Sequence, residues 1–284
     1  VIAMKKNLII LILIFLSSVN SVFGSENIIY RYEFNENTRT FIFGDNARVR
    51  KDPEIKSSNV IDSLPIGEEI TIIKKTAVDL TVEGYKAPWY RISYKKNNSI
   101  SEGYVWGGLL SIGFARDKEK LFLAGIKKYH PGKGFTGECR LIIKGKVLSA
   151  IPFEPHYMPD GNNGGYYGYS VSTEIHGSRG LDGLKCVLKF FFNYEACGYP
   201  RGNVWIGCTD NKLYYIGKDT SVSEAGVFHV EEKFIFPDEN KNVNKEIILV
   251  KENYDFDEHI KDYKLTERKE QKFFWRNYKL IPAK

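Results

Sequence analysis

The chain has 284 residues, 43% of them hydrophobic and 14% aromatic, which supports sizeable buried cores and excludes a disordered chain. Its formal net charge of +6 is mild for this length, and its lysines alternate with acids instead of forming runs, so charge gives no support to a nucleic-acid partner. With 18 Tyr and 18 Phe against 2 Met, the composition favours strands over helices.

In chain order, the first element is a leader. From Met4 the sequence MKKNLIILILIFLSSVNSVFG places two lysines before an apolar run from Leu8 to Leu16 and a polar stretch ending at Gly24. Basic, apolar, then small and polar is the order of a secretory signal peptide, here residues 1–24. The apolar run is too short for the roughly 20 residues that span a bilayer. The sequence therefore predicts export to the periplasm or beyond, a mature chain starting near Ser25, and no transmembrane span after cleavage. Loss of Lys5 and Lys6 lowers the charge by two, to +4. The first cysteine is Cys139, which excludes a lipid-modified cysteine behind the leader.

A lead-in covers residues 25–44. Five short strand signals follow between residues 45 and 113: NARVR, SNVIDSL, EEITIIKK, APWYRISY and GYVWGGLL. Each is bounded by Pro, Gly, Asn or Asp, the pattern of a small all-β barrel. Pro65-Ile66-Gly67 turns the second strand into the third, and Lys96-Asn97-Asn98 caps a hairpin. The expected core positions are Val49, Val60, Leu64, Ile70, Ile72, Ile92, Val105 and Leu109.

The order of motifs here resembles the bacterial SH3-like (SH3b) domain. The matching residues are the Val49-Arg50 opening, the turn from Leu64 to Gly67, the Trp-centred strand from Trp89 to Ile92, and the closing Gly103-Tyr104-Val105. The resemblance implies a small barrel over residues 45–113 that recognises peptidoglycan, peptide stems or proline-containing segments. Two stretches depart from the family pattern: the insertion from Thr76 to Ala87, and the continuation Trp106-Gly107-Gly108. They lie where a ligand surface would be. The aromatic candidates for ligand contact are Tyr85, Trp89, Tyr104 and Trp106. Tyr104 and Trp106 are two apart, so in a strand they share a face opposite the inward Val105. On that outer face they either bind a ligand or dock the second half of the chain.

Residues 114–284 show further aromatic and β-branched runs separated by Gly-, Asn- and Asp-rich connections, among them LKCVLKFFFNY, NVWIGC and VFHVEEKFIFP. Hairpin-length spacing predicts antiparallel sheets, preferably a β-sandwich-like domain, with a propeller as the alternative. No repeat of fixed period supports the propeller. Residues Arg116 to Leu123 fit either a helical turn or a strand. Four cysteines, Cys139, Cys186, Cys197 and Cys208, allow three pairings in an exported chain. Cys186 opens one strand and Cys208 closes the next, so these two either form a disulfide or remain buried thiols.

No cofactor or catalytic constellation emerges. The fragment IHGSRGLDGLKC superficially looks like the His-Gly and Cys pieces of L,D-transpeptidases, but Cys186 follows Leu184-Lys185 with no second histidine near it. A small hydrophobe at the start of a strand is the plainer reading. His130, His156, His176, His229 and His259 lack zinc-binding spacing. Asp160, Asn162 and Asn163 in one loop, and Asp238, Asn240, Asn242 and Glu246 in another, offer oxygen ligands. Hairpin tips use the same residues for turns, and Val243 stands where a calcium loop needs Gly. The Gly-flanked Tyr166, Tyr167 and Tyr169 are further candidates for an exposed stacking surface. The sequence thus points to an exported, non-enzymatic binding protein of the cell envelope. A wall hydrolase with its site after residue 114 and a structural subunit of an envelope assembly are the alternatives.

Overall fold

The computed structural model describes residues 32–130, 133–156, 170–194, 196–239 and 245–283. The leader, Asp160, Asn162, Asn163, the tyrosines at 166, 167 and 169, Asn240, Asn242 and Val243 lie outside the described residues. Among those described, the regular elements are strands and two short 3-10 turns, so the fold is all-β. Among the described residues no helix is long and apolar enough to cross a membrane.

Six strands form the first sheet: β1 (Arg39–Phe41), β2 (Ala47–Arg50), β3 (Val60–Leu64), β4 (Glu69–Val82), β5 (Tyr85–Lys96) and β6 (Ser99–Trp106). They run antiparallel in the order β1-β4-β5-β6-β2-β3 and curl around a core of Val49, Leu64, Ile70, Ile72, Ile92 and Val105. These six are among the eight core positions read from the sequence; Val60 is only half-buried, and Leu109 packs at the edge of the core. The lead-in is more than a lead-in. It supplies β1, and its Ile42 is fully buried in the half-barrel core. The β5–β6 turn places Asn97 and Asn98 at positive φ (47° and 63°), the geometry of a tight two-residue hairpin turn.

The second half forms a sandwich. Its four-stranded sheet contains β7 (Gly113–Asp117), β8 (Lys120–His130), β9 (Gly134–Ile143) and β10 (Lys146–Phe153), in the order β10-β9-β8-β7. Arg116 to Leu123 is therefore a hairpin and not a helical turn. Its eight-stranded sheet is a meander of β11 (Ser170–His176), β12 (Cys186–Asn193), β13 (Arg201–Cys208), β14 (Leu213–Glu224), β15 (Phe228–Ile235), β16 (Glu246–Asp257), β17 (Asp262–Arg276) and β18 (Lys279–Pro282). Phe122, Cys139, Leu141 and Phe153 from one sheet meet Leu188, Phe190, Phe192, Val204 and Ile206 from the other. The opposite face of β12–β14 packs on Phe234, Phe236 and Ile247 in a second core.

Half-barrel and sandwich share apolar surface. Phe41 and Phe43 pack on Leu121, Leu123 and Ile142. Tyr85, Ala87, Trp89 and Trp106 belong to the same cluster as Phe122 and Phe135. The buried Arg140 closes the seam. Its guanidinium lies over the Phe43 ring, donates to the Phe43 carbonyl (3.0 Å) and pairs with Asp45 (3.0 Å) and Glu138 (2.6 Å). The insertion from Thr76 to Ala87 gets its explanation here. It lengthens the β4–β5 hairpin into an arm whose tip reaches Tyr129 and Phe135 of the four-stranded sheet.

Candidate functional site

Strand alternation sets up the site. In β2, Ala47 and Val49 point into the half-barrel core, which sends Arg48 and Arg50 to the other side. The loop that follows is tied back onto Arg50. Its Nη1 donates to the Lys56 carbonyl (2.6 Å) and to Asn59 Oδ1 (3.0 Å), while Asn59 Nδ2 donates to the carbonyls of Asp52 and Glu54 (3.2 Å each). These bonds hold the loop so that Ile55 stands 62% exposed.

Trp89 and Trp106 sit directly opposite each other on β5 and β6. The Trp106 indole N–H donates to both the Leu80 carbonyl (3.0 Å) and the Ala87 carbonyl (3.1 Å), which fixes the ring against the long hairpin. The ring also folds back over Gly108, where any Cβ would run into it. This accounts for the Trp-Gly-Gly departure in the sequence.

Together these elements enclose an open groove of about 280 Å³, lined by Asp45, Asn46, Arg48, Arg50, Ile55, Leu80, Val82, Trp89, Trp106 and Leu109. Trp89 and Trp106 contribute only narrow strips of ring, since they are 3% and 8% exposed. Of the two roles expected for Tyr104 and Trp106, ligand contact or docking of the second half, the packing bears out docking, and Tyr85 does not stand free in its loop. Tyr85 is buried between Trp106 and Phe135 (ring centroids 5.7 and 5.4 Å), and Tyr104 is half-buried against the same cluster. The reason is the sandwich beneath them, which covers that face. Sequence reasoning found the two indoles but missed Arg48, Arg50 and Ile55; the Arg-Val-Arg alternation was the available signal.

Cys186 and Cys208 occupy directly paired positions on β12 and β13 and are joined by a disulfide (S–S 2.05 Å, Cα–Cα 5.2 Å). Cys186 is therefore no thiolate beside His176. Cys139 is a buried thiol whose pKa is pushed well up, chiefly by burial, and Cys197 is exposed. Among the described residues no three His, Cys, Asp or Glu side chains cluster as metal ligands. Asp238 pairs with Arg179 (3.3 Å), and Glu246 with Lys272 (3.2 Å).

Two buried ionisable groups stand apart from the groove. Asp219 accepts hydrogen bonds from the Asn203 backbone N–H (3.1 Å), Asn203 Nδ2 (2.7 Å) and Trp205 Nε1 (2.6 Å); burial nevertheless holds its carboxyl above the usual range. His156 packs on Phe192, and burial, with Lys218 second, pushes its pKa down to about 4. The unfolded chain takes up a proton near pH 6.5 that the folded chain refuses until about pH 4. The stability contributed by neutral His156 is thus complete above pH 6.5 and falls by about 3 kcal/mol as pH drops to 4. Protonation of Asp219 in acid works in the opposite sense and offsets part of the loss. Urea titrations at pH 7.5, 5.5 and 4.5 should show this slope, and His156→Phe should flatten it; an unchanged slope in the variant assigns the acid sensitivity elsewhere.

No protein-family model matches the chain, and no curated protein or solved structure is similar to it.

Proposed function

We propose that the chain is an exported, non-enzymatic binding protein of the bacterial cell envelope, whose SH3b-like first unit takes an extended peptide, free or as a peptidoglycan stem, in the groove over Trp89 and Trp106. One observation carries this reading. A cleft floored by two indole edges is flanked by aliphatic side chains left in water, Ile55 at 62% and Val82 at 39% exposure, whereas Ile61, Val78 and Ile100, also exposed in this unit, line no part of it. Exposed aliphatic surface beside a fixed aromatic floor is what an apolar ligand side chain needs. The groove is open, which suits a chain in extended conformation better than an enclosed compact ligand. The leader pattern in the sequence supports export to a compartment where such ligands occur.

Co-sedimentation of the full chain with purified sacculi, and capture from wall-free envelope extract, test the reading. The double variant Ile55→Asp/Val82→Asp changes only exposed positions, so its stability should stay within about 0.5 kcal/mol of the parent. Its binding should fall at least tenfold. Undiminished binding by the well-folded variant would remove the groove from the account.

A further inference from the structure

The cationic lining of the groove says what kind of peptide it takes. Arg48 and Arg50 project from one face of β2 into the groove. Arg50 is 7% exposed, yet its hydrogen-bond partners are the Lys56 carbonyl and the Asn59 amide oxygen, both neutral. A guanidinium so far out of water ordinarily has a carboxylate beside it. Here Asp45, which also lines the groove, is committed to Arg140, and Glu54 to Lys56 (2.8 Å), while Asp52 in the same loop is exposed and forms no ion pair with Arg50. Arg48 is exposed and has no acidic partner among the described residues. The buried Arg140 offers the contrast within the same molecule, since two carboxylates accompany it.

We propose that the groove selects an acidic peptide, with Asp or Glu side chains meeting Arg48 and Arg50 and a neighbouring bulky apolar side chain lying over the Trp106 and Trp89 edges. This rests on the groove being the binding surface, as argued above, and adds the charge of the ligand. A planar guanidinium accepts a carboxylate through two parallel N–H···O bonds. Arg50 spends Nη1 on the loop, which orients its remaining N–H donors before any ligand arrives. The loop therefore works as a positioning device for the arginine, and ligand binding supplies the missing counter-charge.

The test uses the full chain and three pools of C-terminally amidated nonapeptides, randomised among apolar residues at alternate positions and carrying Glu, Gln or Lys between them. Binding is followed by fluorescence anisotropy. The Glu pool should bind at least tenfold more tightly than the Gln pool, with the Lys pool weakest, and the preference should shrink as salt is raised. Arg48→Glu, an exposed substitution that leaves the fold intact, should abolish or reverse it. Equal affinity for the Glu and Gln pools overturns the acidic selection and leaves the groove standing. Failure of every pool to bind overturns both the selection and the groove as a peptide site.

Discussion

Trp106→Ala should lower the stability of the full chain by about 3–5 kcal/mol, the range for removing a buried aromatic side chain. For a chain of this size that is a fall in Tm of roughly 10 °C. The substitution removes the ring that closes over Gly108, packs against Tyr85, and ties the long hairpin to β6 through two carbonyls. It opens a cavity in the cluster shared by half-barrel and sandwich, and it strands the Leu80 and Ala87 carbonyls. Both units should therefore lose stability together in a calorimetric scan. A variant that melts like the parent would show that the indole is dispensable to the seam. Because Trp106 also floors the groove, the loss of ligand binding in this variant is expected but does not separate the two roles. The surface variants at Ile55 and Val82 are needed for that.

Removal of the disulfide should have an effect of similar size. The bond between Cys186 and Cys208 spans 22 residues, and closing a loop of that length restricts the unfolded chain by about 3 kcal/mol. Both cysteines belong to the apolar cluster between the two sandwich sheets, so Cys186→Ala/Cys208→Ala also loses some packing. Thermal melts with and without dithiothreitol give the comparison. The parent should drop by the full amount on reduction, and the double variant should ignore the reductant. An identical Tm for oxidised and reduced parent would mean that the strand pairing alone fixes this hairpin.

The all-β architecture was legible because strand signals and turn chemistry agree along the chain. Asn97-Asn98, Lys144-Gly145 and Asn277-Tyr278 each sit at positive φ between paired strands. The first hairpin was readable from its asparagines. The last two lacked such a signal, since Lys and Tyr rarely announce a left-handed turn. Most barrel core positions were legible for the same reason, as period-two alternation points Val49, Ile70, Ile72 and Ile92 inward. The fate of the outward aromatics was not. Alternation tells which face a residue takes, and nothing about whether another sheet covers that face. Tyr85 read as a ligand contact and is buried in a seam, while for Trp106 the sequence left ligand contact and docking both open. Arg50 was hidden differently, because an arginine on an outward position gives no hint that a loop of its own chain will fold over it.

Hydrogen–deuterium exchange of the full chain, with and without soluble muropeptides or the best acidic nonapeptide, tests the proposed binding surface most directly. Protection should appear in residues 45–56, in the hairpin arm around residues 80–82, and around residues 106–109, with the distal strands β15–β17 unchanged. Protection confined to β15–β17, or absent from the groove while ligand is bound, would contradict the assignment of this cleft as the binding site.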